Sequence, residues 1–214
     1  MSLLAVLALA PAAASADTVE ISVLPEDGVD FGSTTSVVGR VTGQFGAPVV
    51  GQDVVLQARR YPFKAEFTSV ATAKTGLDGR FSIDRAFDRN HQVRVIGPSG
   101  DRSKVTRVYV FPRSNLTFRL VRRNIIRITQ VYATPNDVRL TEPTRFYVAR
   151  RGAKTAPLAA RPDTRRTSRG RFIARALVRL PKAWEGRFRY GSCFPYNAGM
   201  GDPKVGCPKQ RYTF

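Results

Sequence analysis

Seven arginines fall within one short stretch of this chain: Arg161, Arg165, Arg166, Arg169, Arg171, Arg175 and Arg179. A guanidinium offers a planar fork of donors that matches carboxylate, sulfate and phosphate, and it stays charged at any working pH. These seven are therefore candidate anion-binding residues rather than proton-transfer groups. Read as a strand, residues 171–180 put Phe172, Ala174, Ala176, Val178 and Leu180 on one face and Arg171, Arg175 and Arg179 on the other. The same arginines also fall at i, i+4 and i+8 of a helix. Gly170 before the stretch, Pro181 after it and the period-2 alternation favour the strand. A charge run of this kind also fits a merely solvated face.

Residue types suited to catalysis are sparse. The one histidine, His91, follows Asp88-Arg89-Asn90 just before a predicted strand. No Gly-x-Ser-x-Gly elbow accompanies it, so it is read as structural or solvated. Asp78, Asp84 and Asp88 lack the dense spacing of an EF-hand loop, and basic residues interleave them. No glycine loop precedes a predicted helix, so a phosphate cradle is not expected. Asn115-Leu116-Thr117 matches a glycosylation acceptor but lies inside a predicted strand. The expectation is a protein that is not an enzyme, with no catalytic residues, metal or cofactor.

Cys193 and Cys207 flank a loop holding Asn197-Ala198-Gly199-Met200-Gly201, and in an exported protein such a pair reads as a disulfide. A loop of that size would stabilise the fold by about 3 kcal/mol in the chain-entropy treatment. Beside it, Tyr190, Phe194 and Tyr196 could stack on sugars or bases, with core packing favoured for Tyr190. Residues 1–16 read as a signal peptide cleaved after Ala16. Leu3 to Ala10 is apolar, Pro11 ends the run, and Ala14-Ser15-Ala16 supplies the small residues that cleavage needs. The usual basic n-region is missing, since no Lys or Arg precedes Arg40. No stretch reaches the roughly 20 apolar residues of a transmembrane helix, so a secreted or cell-envelope location is expected.

Charge divides the chain. From Asp17 to Pro112 there are 12 Lys and Arg against 11 Asp and Glu; from Arg113 to Phe214 there are 23 against 5. Nearly all of the net +19 therefore sits on the second half. Such asymmetry suggests a polyanionic partner, a cell-wall polymer or acidic polysaccharide, or a surface protein. Non-specific binding of nucleic acid in vitro would follow from charge alone.

The elements that position these groups read as strands. Val54, Leu56 and Ala58 alternate with Asp53, Val55, Gln57 and Arg59; Phe81 with Ile83, and Val93 with Val95, do the same. In the second half Phe118 and Leu120 alternate with Thr117 and Arg119, and Phe188 and Tyr190 with Arg187 and Arg189. Asp78-Gly79 between alternating runs predicts a two-residue hairpin. An internal echo adds organisation: Ala58-Arg59-Arg60 precedes Gly79-Arg80-Phe81 as Ala149-Arg150-Arg151 precedes Gly170-Arg171-Phe172, both offset by 91 residues. That is about one β-sandwich in length. The expected fold is all-β, with two tandem Ig-like or prealbumin-like antiparallel sandwiches over residues 17–112 and 113–214 joined at Pro112-Arg113.

Gly39-Arg40-Val41, Gly46-Ala47-Pro48-Val49-Val50-Gly51 and Val54-Val55-Leu56, followed by Thr75-Gly76-Leu77-Asp78-Gly79-Arg80-Phe81, resemble the carboxypeptidase regulatory-like (transthyretin-like) domain. The likeness covers roughly residues 34–97. It implies a prealbumin-type sandwich, common in bacterial exported and surface proteins, and no activity of its own. The second half keeps Gly170 and Phe172 but not the Asp. The functional expectation is an exported, non-enzymatic binding or scaffolding protein. The alternative is an accessory module of an exported hydrolase whose catalytic part lies elsewhere.

Overall fold

The computed structural model describes residues 17–184, 188–193 and 199–201. The expected signal peptide, Phe194, Tyr196 and Cys207, and hence the Cys193–Cys207 pairing, lie outside the described residues. What is described is all-β apart from two single-turn 3-10 helices. The first half comprises β1 (Thr18–Leu24), β2 (Val29–Asp30), β3 (Thr34–Thr42), β4 (Asp53–Arg60), β5 (Thr68–Lys74), β6 (Arg80–Ala86), β7 (His91–Ile96), β8 (Thr106–Val108) and β9 (Val110–Phe111). Pro112, which has no N–H to offer a ladder, separates these from β10 (Arg113–Arg122), β11 (Ile125–Ala133), β12 (Arg145–Arg150), β13 (Leu158–Ala160), β14 (Arg165–Ser168), β15 (Arg171–Arg179) and β16 (Phe188–Cys193).

Each half is a pair of antiparallel sheets packed face to face, and the first adds a short parallel pair, β2 with β9. In the first, β1-β3-β6 covers β5-β4-β7-β8; in the second, β10-β11-β15-β14 covers β13-β12-β16. The alternation read from sequence sets the inward faces: Val54, Leu56, Ala58, Phe81, Ile83, Val93 and Val95 are all buried in the first core. Burying a side chain of this class stabilises by roughly 1.5–3 kcal/mol, so the period-2 pattern leaves little choice of face. The second core gathers Ile126, Ile128, Phe146, Val148, Ala174, Val178 and Leu180. The stretch 171–179 is a strand, and its helical alternative falls away.

The echo marks equivalent places. Ala58-Arg59-Arg60 ends β4, and Ala149-Arg150 ends β12; Gly79 leads into β6 as Gly170 leads into β15. β6 pairs with β3 as β15 pairs with β11, while β4 lies between β5 and β7 as β12 lies between β13 and β16. The two glycines even do the same work. Each has positive φ, +75° and +66°, and each carbonyl accepts a 2.9 Å bond, from Val41 N–H and Thr134 N–H respectively. A Cβ at either would stand 2.5 Å from a backbone oxygen.

One expectation fails. Asp78-Gly79 does not join hairpin partners, because β5 pairs with β4 whereas β6 pairs with β3 in the opposite sheet. The turn chemistry is real: Asp78 Oδ1 accepts the Arg80 N–H at 3.0 Å. It makes a corner between sheets, and a local turn signal cannot say which sheet the next strand enters.

The halves meet through a buried joint. Asn90 is 3% exposed. Its main-chain N–H donates to Gly199 O at 2.8 Å, its side-chain NH2 to Gly201 O at 2.7 Å, and its Oδ1 accepts from Val110 N–H at 2.9 Å. Met200, Tyr132, Val138, Leu140 and Phe172 extend the first core into the second half. At the rim Asp137 takes Arg89 at 2.6 Å and Arg60 at 3.1 Å, and Asp88 takes Arg60 at 2.7 Å. Burial pushes the Asp137 carboxyl up, but the Arg89 hydrogen bond and the two guanidinium charges outweigh it and hold the group below its ordinary value.

Two outcomes follow from this joint. Asn90→Ala strands the Val110 N–H and the Gly201 carbonyl, and should lower unfolding free energy by roughly 2–5 kcal/mol, read by urea denaturation. The His91 ring lies tilted against Phe87, centroids 4.6 Å apart, with Nδ1 2.7 Å from Arg89 O, and burial holds its pKa below 6.5 against the raising effects of Arg89 O and Asp88. The unfolded chain then binds more protons than the folded one below pH 6.5, so stability falls as pH drops through that window. His91→Gln should shrink the stability difference between pH 7.5 and pH 5; an unchanged difference would assign it to other groups.

Candidate anion-binding face

The four-stranded sheet β10-β11-β15-β14 turns one face to the second core and the other to solvent. β15 alternates with Phe172, Ala174 and Val178 buried and Arg171, Arg175, Leu177 and Arg179 exposed. Beside it β11 buries Ile126, Ile128, Gln130 and Tyr132, and exposes Arg127 and Val131. Gln130 is held inside by the Ser192 hydroxyl of the opposite sheet, which donates to it at 2.6 Å. Tyr132 is held by Thr144 Oγ1 at 2.9 Å, and burial pushes its phenol up to about 12. These inward anchors decide which side chains point out.

Register assembles the outward side chains into a belt. Arg127 lies opposite Leu177, diagonal to both Arg175 and Arg179. On its other side Arg119 of β10 stands directly across from it, and Arg113 lies further along the same face. On the far strand Arg165 faces Ile173, diagonal to Arg171 and Arg175. Seven arginines thus share one face: Arg113, Arg119, Arg127, Arg165, Arg171, Arg175 and Arg179. At about 4.8 Å per strand and 3.4 Å per residue the face measures about 14 by 27 Å. Cross-strand neighbours about 5 Å apart and diagonal ones about 7–8 Å apart lie within a Debye length of about 10 Å at 0.1 M salt. Val131, Ile173 and Leu177 lie between the charges.

Four of the sequence candidates join this belt: Arg165, Arg171, Arg175 and Arg179. The other three do not. Arg166 lies on the opposite side of β14, across from the buried Phe172, and its Nε donates back to Ser168 O at 3.2 Å. Arg169 sits in the exposed turn before Gly170. Arg161 lies where the chain crosses from β13 in one sheet to β14 in the other. Arg113, Arg119 and Arg127 were missed. Their own alternation put them outward, but nothing local says that β10 and β11 lie beside β15.

Charge in the first half is handled differently. In the first half Arg60, Lys74, Arg80, Arg89 and His91 stand within ion-pair distance of carboxylates. Arg59 donates to Gln92 and Arg94 to Gln57, at 2.6 and 3.0 Å, and both guanidiniums lie over the Phe67 ring. No belt arginine is ion-paired among the described residues, although Asp163 precedes β14. Asp78, Asp84 and Asp88 are dispersed, and among the described residues no three His, Cys, Asp or Glu gather as a metal site.

No family model matches the chain, and no curated protein matches it. Solved structures give remote likenesses. One is dimeric latent PorU from Porphyromonas gingivalis, at 10% identity and TM-score 0.30, covering 82% of this chain and 23% of that one. Another is the FN1-FN3 domains of chicken CNTN1, at 10% identity and TM-score 0.28, covering 80% and 59%. The chain spans less than two thirds of either, and at those scores neither bears on site or function.

Like charges directly opposite on a sheet are destabilising. Arg127→Gln, at the centre of the belt, should therefore raise the urea midpoint at 20 mM salt, and the gain should vanish by 0.5 M. A gain that survives high salt would mean that packing rather than repulsion is being relieved.

Proposed function

We propose that this is an exported, non-enzymatic protein of the cell envelope, built from two tandem β-sandwich domains, whose second domain holds an anionic polymer. The observation that carries the reading is the seven-arginine belt on one open sheet face. A stable fold gains nothing from concentrating like charges, and a ligand bearing repeated phosphate, carboxylate or sulfate groups would relieve the repulsion. The flat face suits an extended chain lying across the strands, with Val131 and Leu177 touching its apolar faces. The matching strand order and the equivalent Gly79 and Gly170 support duplication of one sandwich.

The carboxypeptidase regulatory-like reading of the first domain draws support from how its motif residues behave. Thr75 is buried and its Oγ1 accepts the Gln52 N–H at 3.0 Å, Asp78 caps Arg80, and Phe81 enters the core. Together they build one corner. His91, packed against Phe87 and within hydrogen-bond distance of a backbone carbonyl, fits a structural role.

The test is retention of the full chain on wall polymer, sulfated glycan, DNA and anionic liposomes across a salt series. One polymer should hold at salt where the others release, and Arg127→Glu with Arg171→Glu and Arg175→Glu should abolish that hold. Simultaneous release of all four at modest salt would sink the polymer reading and favour the scaffold or enzyme-accessory one.

A further inference from the structure

On one flank of the second half both sheets end in an unpaired strand, β10 and β16, among the described residues. In the first half the equivalent flank is closed. There β8 extends the β5-β4-β7 sheet and packs against β1, the counterpart of β10. No described strand of the second half takes the place of β8.

What lies open is structured. β10 is ten residues long, about 34 Å, with every residue but Leu116 exposed. Its register puts Phe118 and Leu120 opposite Ile128 and Ile126, on the side that faces the core. Yet Phe118 is 45% exposed and Leu120 58%, whereas Ile128 and Ile126 are fully buried. Beneath them a cleft of about 510 Å³ is lined chiefly by Phe118, Leu120, Leu180, Pro181, Phe188 and Tyr190. On the other side of the same strand stand Arg113 and Arg119. The ladder to β11 shifts register between Leu120 and Arg122, and long, partly apolar edges of this kind invite strand pairing, which proteins ordinarily prevent by shortening or covering them.

We propose that β10 is a docking edge for an extended segment of another protein in which apolar and acidic residues alternate. Backbone hydrogen bonds to β10 would hold the segment as a fifth strand. Successive side chains point to opposite faces, so one set would drop into the cleft and the other would meet Arg113 and Arg119. Charge selects this occupant over the two others at hand. A second copy would set its own β10, with Arg113, Arg119 and Arg122, against these arginines. The chain's last stretch, residues 208–214, carries Lys209 and Arg211 and no acid. The proposal goes beyond polymer binding; it shares Arg113 and Arg119 with the belt, and Leu120, which faces away from the belt, separates the two readings.

The test titrates the full chain with a nine-residue peptide alternating valine and glutamate, against a peptide of the same composition with the two residue types in separate blocks. The alternating peptide should bind at least about tenfold more tightly and protect amides 113–122 from hydrogen exchange. Leu120→Gln, neutral and at an exposed position, should weaken it by about tenfold while leaving polymer retention unchanged. Equal binding of the two peptides, protection elsewhere, or no effect of Leu120→Gln overturns the proposal. Dimerisation through 113–122, abolished by the same variant, overturns it in favour of a second copy.

Discussion

The relation between the two sandwiches depends on one buried amide. Asn90 sits where water cannot reach, so each polar group around it must find its partner in the protein. It satisfies Val110 N–H at the start of β9, Gly201 O in the returning segment, and Gly199 O through its own main chain. Those points belong to two distant stretches of sequence, and one residue fixes them together through its side chain and its main chain. β10 begins two residues after β9, so the arginine sheet is aimed from this joint. The Asp137 pair with the half-exposed Arg60 contributes about 0–1 kcal/mol, and the pair with Arg89 joins a largely buried guanidinium to an exposed carboxylate. They refine the arrangement, whereas the buried amide and the packing of Met200, Tyr132 and Phe172 hold it.

The two halves share a strand graph and differ at their edges. In the first, β8 closes the flank beside β1, and guanidiniums are tied to carboxylates, glutamines or a phenyl ring. In the second, β14 widens the outer sheet to four strands and so adds Arg165 to the belt. Among the described residues the flank beside β10 is left open. Such departures from a shared strand graph are where one half can take on work the other lacks.

The second half carries two costs, one electrostatic and one hydrophobic. Arg119 directly across from Arg127 repels at close range, and Phe118 and Leu120 keep apolar surface in water. Each would be relieved by something arriving from outside, an anion in one case and a strand in the other. The arginines that would draw an anion, Arg113 and Arg119, would also repel each other across two paired β10 edges.

Much of this was legible in the residues. Alternation of apolar and polar types assigned the inward faces of β4, β6, β7 and β15, because burial of one face is large compared with any local preference. Charge asymmetry located the basic half, and the Arg-Arg/Gly-Arg-Phe echo marked equivalent strand ends. The Asp78-Gly79 turn was recognisable as a turn but not as a corner, since its hydrogen bonds close locally whichever sheet follows. Nor could the sequence tell that Arg166 turns back on Ser168, or that Arg113, Arg119 and Arg127 stand beside Arg175. By itself the sequence determined which side chains could leave the core, because period and polarity act along one strand. Which of them became neighbours was decided only by the tertiary structure, because strand order and register are set by how whole sheets bury their faces against each other.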